Sequence, residues 1–182
     1  MTSVGTVVWL TGLPSAGKST LARATATRAR EQGRAVAVLD GDELRQALWP
    51  DLGFSKAHRD ENVRRAGALA GLLAAQGLVV LVALVSPYRS ARSVARGQAA
   101  RFLEVFVSCS LSVCEARDVK GLYARARAGE IQGMTGIDDP YEAPTAPELV
   151  LRTEEWTVAE CVERLMAALV ELEASSAPGE QA

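Results

Sequence analysis

Short apolar runs alternate along the chain with longer segments of helical character. Five runs are predicted to be β-strands: residues 7–10, 35–39, 78–85, 103–107 and 148–151. The segments predicted to be helices are 18–30, 43–48, 57–76, 91–98, 113–117 and 158–173. Because the run 78–85 contains no polar residue, it indicates a strand buried on both faces, as in a parallel sheet covered by helices. The alternation predicts an α/β fold with a five-stranded parallel sheet.

A glycine-rich loop joins the first predicted strand to the first predicted helix. Its residues are Gly12, Leu13, Pro14, Ser15, Ala16, Gly17, Lys18, Ser19 and Thr20. Two glycines with four residues between them, followed by Lys and Ser, form the phosphate-binding pattern called a P-loop. Gly12 and Gly17 allow backbone angles that let amide groups turn towards an anion, while Lys18 would reach the β and γ phosphates and Ser19 would ligate Mg²⁺. The alternative is a glycine turn that merely precedes a helix.

The P-loop and the alternating strands predict a single P-loop NTPase-type domain with three α/β/α layers over residues 1–174. A chain of 182 residues suits one such domain and leaves no room for a second catalytic one. Segment 117–147 loses its apolar periodicity and is interrupted by glycines and prolines, so we expect a lid there. Residues 175–182 are predicted to be a disordered tail.

Composition narrows the class of protein. The net charge is −2, so we expect small molecules as partners and no general attraction to nucleic acid or anionic membranes. No apolar run reaches the roughly 18 residues of a membrane span, and no apolar leader precedes the first strand. Three cysteines without a CxxC pair and a single histidine argue against a disulfide framework and a zinc site. We therefore expect a cytoplasmic protein.

Acidic residues directly follow the second predicted strand. Asp40 and Asp42 stand at its carboxyl end, where open α/β sheets bind ligands. Asp42 could alternatively cap the helix that follows. Because the run 78–85 ends without an acid, Mg²⁺ would depend on Ser19, phosphates and waters, with Asp40 or Asp42 as a further ligand.

The helix predicted for residues 57–76 begins with a cationic cluster. Arg59 and Asn62 are three residues apart and share a face, where they could hold an anionic group together. A solvated basic face is the alternative interpretation of such a cluster. The sequence of this segment alone leaves both open.

Several classes of P-loop protein are excluded by motifs that the sequence lacks. A GTPase reads guanine through an Asn-Lys-x-Asp motif, and the single asparagine lies in Glu61-Asn62-Val63. Motor and helicase ATPases need an acid at a strand end and are generally larger. The P-loop, the acids after the second strand, the arginines and the predicted lid favour a small-molecule kinase.

Several stretches, in matching order, resemble the adenylylsulfate kinase family. Besides the P-loop they are Asp40-Gly41-Asp42-Glu43-Leu44-Arg45, Leu52-Gly53-Phe54-Ser55, Arg59 with Glu61-Asn62-Val63-Arg64-Arg65, Ser86-Pro87-Tyr88-Arg89, Lys120-Gly121-Leu122-Tyr123 and Thr135-Gly136-Ile137-Asp138-Asp139-Pro140-Tyr141-Glu142. The resemblance implies a P-loop kinase that uses ATP and Mg²⁺. Similar enzymes are often dimers, which allows a homodimer here, although no residue of the sequence fixes the oligomeric state. It also implies transfer of the γ-phosphoryl group of ATP to the 3′-hydroxyl of adenosine 5′-phosphosulfate (APS).

The resemblance also implies a role for each matching residue. Asp42 would accept the proton of the 3′-hydroxyl, and Lys120 would help to neutralise the transferring phosphoryl group. Phe54 would stack on the acceptor adenine, and Arg117 would flank the adenine of ATP. The phosphosulfate end would be held by Arg45, Arg59 and Asn62. The full set implied on the acceptor side is Asp40, Asp42, Arg45, Phe54, Arg59, Asn62, Val85, Ser86, Lys120, Met134 and Thr135.

Ser86 has two interpretations. It matches a serine that is phosphorylated in some bacterial members of the family. Its position before Pro87 also predicts an N-cap for the next helix. Because the N-cap explains the serine equally well, we expect direct transfer rather than a phosphoserine intermediate.

Two positions depart from the family pattern. His58 stands where the family usually has Asp before the arginine, and Met134 stands where it usually has an aromatic that completes the clamp around the acceptor adenine. A thioether packs on a ring with less flat area than an aromatic does. Two other functions stay open: a related kinase for another nucleotide or small alcohol, and a nucleotide-binding module without turnover.

Overall fold

A five-stranded parallel sheet forms the centre of the computed structural model, which describes residues 4–175. The strands are β1 (Thr6–Thr11), β2 (Val36–Asp40), β3 (Val79–Ala83), β4 (Phe102–Ser108) and β5 (Leu149–Arg152). Their order across the sheet is β2-β3-β1-β4-β5, and each neighbouring pair is parallel. The five predicted strands and the parallel sheet are confirmed.

Helices connect these strands. Within the described residues they are α1 (Lys18–Glu31), α2 (Gly41–Ala47), α3 (Lys56–Ala75), α4 (Arg89–Arg96), α5 (Leu111–Arg117), α6 (Leu122–Arg127) and α7 (Val158–Ser175). Six of them confirm the predicted helices, with ends that differ by about two residues. Helix α6 lies inside the predicted lid, where the fading apolar pattern predicts no helix.

Apolar side chains cover both faces of the sheet, because successive residues of a strand point to opposite sides. On one face Leu10 of β1 belongs to a buried cluster with helices α1 and α7, which includes Leu165. On the other face Trp9 belongs to a second cluster with α3 and α4, which includes Val63. The three α/β/α layers of the predicted P-loop fold are therefore confirmed.

The loops that carry the candidate site leave the carboxyl edge of the sheet. The chain passes from β1 to β2 and β3 on one side, and then crosses to β4 on the other side of β1. In open α/β sheets, ligands bind where the strand order reverses in this way. The P-loop after β1, Asp40 at the end of β2 and the residues after β3 share this edge.

The structure corrects two interpretations of helix starts. Ser86 is not an N-cap, since α4 begins at Arg89 and Tyr88 occupies its cap position. An N-cap residue has extended backbone angles, whereas Ser86 has a φ of 41°. Asp42 does not cap α2 either: the Asp40 carboxylate is the cap and accepts a hydrogen bond of 3.0 Å from the Asp42 amide.

Two expectations concern the chain as a whole. In the part of the chain that the structure describes, no helix is both long and apolar enough to cross a membrane. The predicted disordered tail, apart from Ser175 at the end of α7, lies outside the described residues. The single-domain span 1–174 stays a prediction.

Candidate active site

The P-loop wraps around the amino end of α1. At Gly12 a side chain is excluded, because a Cβ atom there would lie 2.5 Å from the carbonyl oxygen of Val107 on β4. Gly17 has a φ of 105° and precedes α1 without capping it through a side chain. The first amide groups of α1 therefore lack a side-chain cap and are suited to an anion.

Lys18 lies at the centre of the loop. Its side chain is buried, with 8% of the residue exposed, and its ammonium donates to the carbonyls of Gly12 at 2.9 Å and Leu13 at 2.7 Å. Burial lowers the pKa of Lys18 to about 8. Within residues 4–175 no carboxylate forms an ion pair with Lys18, so its buried ammonium is suited to a phosphate, which would raise the pKa of Lys18 again.

Two acids follow β2 and have different partners. The Ser19 hydroxyl donates to the Asp40 carboxylate at 2.5 Å, and Asp40 is itself buried. Asp42 lies two residues further along, with 69% of its side chain exposed, and forms an ion pair with Lys120 from the predicted lid. The sequence gives no indication that Asp42 and Lys120 pair, but the fold brings them together.

Phe54, which is predicted to contact the acceptor, is 65% exposed. The guanidinium of Arg45 lies 4.9 Å from the centre of the Phe54 ring, and that of Arg59 lies 5.7 Å from it. Burial, followed by repulsion from Arg59, lowers the pKa of Arg45. We call Arg45, Phe54 and Arg59 the acceptor cluster, since it offers two cations and a flat ring at one place.

The side chain of Asn62 bonds to a residue outside the acceptor cluster. It is buried, and its side-chain oxygen accepts a hydrogen bond of 2.7 Å from the indole of Trp49. Arg64 and Arg65, further along α3, pair with Glu61 at an exposed surface. The solvated basic face therefore describes these two arginines, whereas Arg59 turns towards Phe54.

Met134 and Thr135 occupy the lid segment after α6. Met134 is 7% exposed and packs in the main apolar cluster. Thr135 is buried, and its hydroxyl has no hydrogen-bond partner among the described residues. Arg59 donates to the carbonyl of Gly133 at 2.5 Å, which ties the acceptor cluster to this segment. The clamp formed by Phe54 and Met134 stays a prediction.

Ser86 and Val85 follow β3. Ser86 is 3% exposed, and its hydroxyl accepts from the indole of Trp9 at 3.0 Å and donates to the carbonyl of Leu84 at 3.3 Å. The carbonyl of Val85 accepts from the hydroxyl of Thr11 at 2.8 Å. The Ser86 hydroxyl is thus held inside the fold.

A cavity of about 240 Å³ adjoins the P-loop, and Arg117 and Trp156 contribute to its lining. The Arg117 guanidinium donates to the hydroxyl of Thr153 at 3.2 Å and to its carbonyl at 2.6 Å. Thr153 in turn donates to the carbonyl of Ala16 in the P-loop at 2.8 Å. Sequence reasoning missed Thr153 and Trp156, although their place just beyond β5, at the same edge of the sheet, could have indicated them.

Arg92 is a further residue that sequence reasoning missed. This buried side chain donates to the carbonyls of Ser86 at 2.6 Å and Glu142 at 2.7 Å, and pairs with Glu104 at 2.8 Å. It therefore joins the loop after β3 to the end of the lid. Its polar partners come from distant parts of the chain, so no local sequence signal identifies it.

Comparison with known proteins relates this site to a family. The family model for adenylylsulphate kinase matches residues 4–152. An adenylyl-sulfate kinase from Synechococcus sp. (strain JA-3-3Ab) is 53% identical over 165 residues, which is 91% of this chain and 94% of that protein.

Solved structures agree with the sequence match. The Mycobacterium tuberculosis APS kinase, solved in complex with AMPPNP and APS, is 45% identical with a TM-score of 0.89, over 91% of this chain and 98% of that one. A hexameric APS kinase from Thiobacillus denitrificans is 36% identical with a TM-score of 0.71, over 93% of this chain and 29% of that one. This chain belongs to the adenylylsulfate kinase family.

Proposed function

We propose that this chain transfers the γ-phosphoryl group of ATP to the 3′-hydroxyl of APS, giving 3′-phosphoadenosine 5′-phosphosulfate and ADP. The observation that carries the proposal is the arrangement at one sheet edge: a P-loop with a buried lysine, the exposed carboxylate of Asp42 beside Lys120, and the acceptor cluster of two arginines around Phe54. Membership of the adenylylsulfate kinase family gives the same activity.

ATP would bind along the P-loop. The uncapped amides of α1 and the Lys18 ammonium suit the β and γ phosphates, and the cavity lined by Arg117 and Trp156 suits the adenine. Arg117 is fixed by its bonds to Thr153, so its guanidinium offers a preformed surface for a flat base. The fixed contacts would position the γ phosphate at the Asp42 side of the loop.

Mg²⁺ would be held beside Ser19. The Ser19 hydroxyl and the Asp40 carboxylate are oxygen ligands of the kind that Mg²⁺ prefers, and they lie 2.5 Å from each other next to the P-loop. The ion would neutralise part of the phosphate charge. Within residues 4–175 no cluster of three or more His, Cys, Asp or Glu side chains could hold a metal, so phosphates and waters would complete the coordination.

The acceptor would bind across the acceptor cluster. Its adenine would stack on Phe54, and Arg45 and Arg59 would hold the phosphosulfate, because a guanidinium binds phosphate oxygens through two parallel hydrogen bonds. Asp40, Asn62, Val85, Met134 and Thr135 stay proposals as further acceptor contacts. Among the described residues the hydroxyl of Thr135 is buried without a hydrogen-bond partner, so it could bond to the acceptor.

With ATP and the acceptor bound in this way, the γ-phosphoryl group would be transferred directly to the 3′-hydroxyl. As the 3′-oxygen forms its bond to the γ phosphorus, the bond from that phosphorus to the β–γ bridging oxygen breaks, and ADP leaves with the electron pair. Asp42 would accept the proton of the 3′-hydroxyl. Lys120 would leave Asp42 for the transferring group, whose dispersed negative charge rewards a fixed cation.

Direct transfer is favoured over a phosphoserine intermediate. The Ser86 hydroxyl is buried and bonded to Trp9 and to the Leu84 carbonyl. Phosphorylation would break these bonds and place a dianion inside the fold, at a desolvation cost. We therefore propose that Ser86 supports the loop after β3 and carries no phosphoryl group during turnover.

Partners and location are proposals of the same kind. The partners would be ATP and APS, without nucleic acid or membrane, and the protein would work in the cytoplasm, which accords with three free cysteines. We also propose a homodimer. Light scattering of the purified chain measures that state directly, and a monomer or a hexamer would contradict it.

The function is tested by coupled ADP release with APS, AMP, nucleosides or no acceptor. We expect rapid ADP release with APS alone. Faster release with another acceptor would indicate a related kinase that has drifted to a different alcohol, a possibility raised by His58 and Met134. Binding of MgATP without ADP release under any condition would indicate a module without turnover.

Phe54→Ala is expected to raise the KM for APS by an amount equivalent to about 1 to 3 kcal/mol, the usual scale of base stacking on an aromatic side chain. The KM for ATP should hardly change, because Phe54 does not line the cavity beside Arg117. Steady-state kinetics with each substrate varied in turn measure both values.

Two further variants serve as controls for Phe54. Phe54→Trp keeps a flat ring and should keep the KM for APS near that of the wild type. Leu72→Ala removes another exposed apolar side chain, on α3, and should change neither KM. Equal effects of Phe54→Ala on both substrates would contradict the stacking role.

A further inference from the structure

His58 lies against the loop that carries Phe54. Its ring nitrogen Nδ1 accepts a hydrogen bond of 2.9 Å from the backbone amide of Gly53. A backbone amide can only donate, so this bond requires an imidazole whose Nδ1 carries no proton. The bond therefore exists with the neutral ring and is lost when the ring gains a second proton.

Hydrogen bonds from neighbouring side chains, rather than packing of the Phe54 ring, hold the loop Leu52–Phe54. Arg45 donates to the carbonyls of Leu52 at 3.0 Å and Gly53 at 2.8 Å. Arg59 donates to the carbonyl of Phe54 at 2.9 Å. Both arginines bind carbonyls, whereas His58 binds an amide of the same loop. Because Phe54 is largely exposed, its direction depends on these backbone bonds.

We propose that His58 is a positioning residue for the acceptor: its neutral ring holds the loop Leu52–Phe54 so that Phe54 and the two arginines face APS together, and protonation of the ring releases the loop and weakens acceptor binding. The proposal rests on the function proposed above.

The acids that follow His58 on α3 are bound by other side chains, Asp60 by Lys56 and Glu61 by Arg64 and Arg65. His58 is the third residue of the helix, whose N-cap Ser55 accepts from the His58 amide at 3.3 Å. A positive charge in the first turn opposes the helix dipole. Lys56 pairs with Asp60 at 2.7 Å and lies over the ring of Tyr88, so it is directed to other partners.

Charges on the elements next to α3 also fail to favour a proton on His58. Arg45 of α2 is bonded to the same peptide segment and would repel an imidazolium. Asp51, which precedes the loop, is a nearby acid, and Arg65 binds its carboxylate at 3.0 Å. The hydrogen bond from Arg65 is the largest cause of the lowered pKa of Asp51, and His58 is a smaller one. Protonated His58 thus loses its amide partner, while Arg65 already holds the Asp51 carboxylate.

Four variants isolate the hydrogen bond. His58→Asn and His58→Asp place an oxygen acceptor where Nδ1 lies, whereas His58→Gln moves its oxygen one bond further out and His58→Ala has none. At pH 8 we expect the Asn and Asp variants to keep the KM for APS within about twofold of the wild type. The Gln and Ala variants should raise it about 3- to 10-fold, the range that corresponds to one hydrogen bond. Turnover at saturating APS and the KM for ATP should stay near wild type in all four.

The pH profile separates positioning from simple support of the helix start. Histidine is the side chain that ordinarily changes charge between pH 5 and 8. From pH 8 to pH 5.5 the KM for APS should rise about 3- to 10-fold in the wild type and should stay level in His58→Asn, with equal pH profiles of the KM for ATP. A role in stability alone would change the melting temperatures without producing this difference.

Each outcome decides the proposal. Identical pH profiles of the wild type and His58→Asn would overturn it, with the kinase function intact. A wild-type KM for APS that falls at low pH would also overturn it, because the imidazolium would then attract the anionic acceptor. Absence of APS-dependent ADP release in the wild type at every pH would overturn the proposed function and this inference together, and is distinguished by that lack of activity.

Discussion

Asp42→Asn is expected to lower turnover about 10²- to 10⁴-fold, the usual effect of removing a general base. A sugar hydroxyl is a poor nucleophile, and the asparagine amide cannot accept its proton. Asp42 is suited to the role because its side chain is exposed at the sheet edge, while Asp40 beside it is buried and bonded to Ser19 and to the Asp42 amide. ATP binding should change little, since the P-loop contacts do not include the Asp42 carboxylate.

Glu43→Gln provides the matched control for this prediction. Glu43 is the next residue of α2 and is equally exposed, but its carboxylate pairs with Arg23 of α1 at 2.7 Å. The same change from acid to amide should therefore leave turnover near that of the wild type. Single-turnover measurements report the chemical step directly, and calorimetry with MgATP reports binding. An Asp42→Asn variant that keeps most of its turnover would remove Asp42 from the role of base.

The ion pair between Asp42 and Lys120 suggests how the predicted lid could act in phosphoryl transfer. While Lys120 is paired with the Asp42 carboxylate, it is not free to contact a phosphoryl group. Both residues are exposed, so the pair itself adds little to stability and can separate at low cost. Release of Lys120 towards the transferring group would free the base and supply the cation in one movement.

The parts of the fold that depend on local pattern could be predicted from the sequence. The five strands follow from apolar runs, and the P-loop follows from glycine spacing between a strand and a helix. The predicted start of α2, residue 43, lies two residues after the observed start at Gly41, because two aspartates compete for one cap position. Sequence cannot decide which of them turns towards the helix amide, whereas the fold gives that position to Asp40.

The parts that depend on distant partners could not be predicted. Ser86 before Pro87 has the local signature of an N-cap, but Trp9 of β1 and Arg92 of α4 bind its hydroxyl and carbonyl and hold a positive φ. Asn62 lies at helical spacing from Arg59, yet Trp49 takes its side-chain oxygen. In each case a contact across the fold overrides a local preference, and such contacts leave no signal in spacing.

Lys18→Ala is expected to lower turnover about 10²- to 10³-fold, as does the loss of one fixed donor to a developing charge in other enzymes. It should also abolish the rise in melting temperature that MgATP causes in the wild type. Lys18 holds a compact positive charge inside the loop through Gly12 and Leu13. Lys18→Arg keeps the charge but spreads it over a larger planar group, so it should not restore activity. Lys56→Ala, which removes an exposed lysine from α3, should leave the MgATP effect unchanged.

The pH dependence of ATP binding is a second test of the role of Lys18. Burial lowers the pKa of Lys18 to about 8, and phosphate oxygens would raise it again. Below pH 8 the ammonium is already charged, so affinity should be level with respect to this group. Above pH 8 binding must take up a proton, and affinity should fall by up to about tenfold per pH unit until the raised pKa is reached. Calorimetry at pH 8.5 in two buffers with different ionisation enthalpies measures that uptake. A proton uptake equal to that of Lys18→Ala, or an unaltered MgATP affinity in that variant, would show that Lys18 does not bind the phosphates.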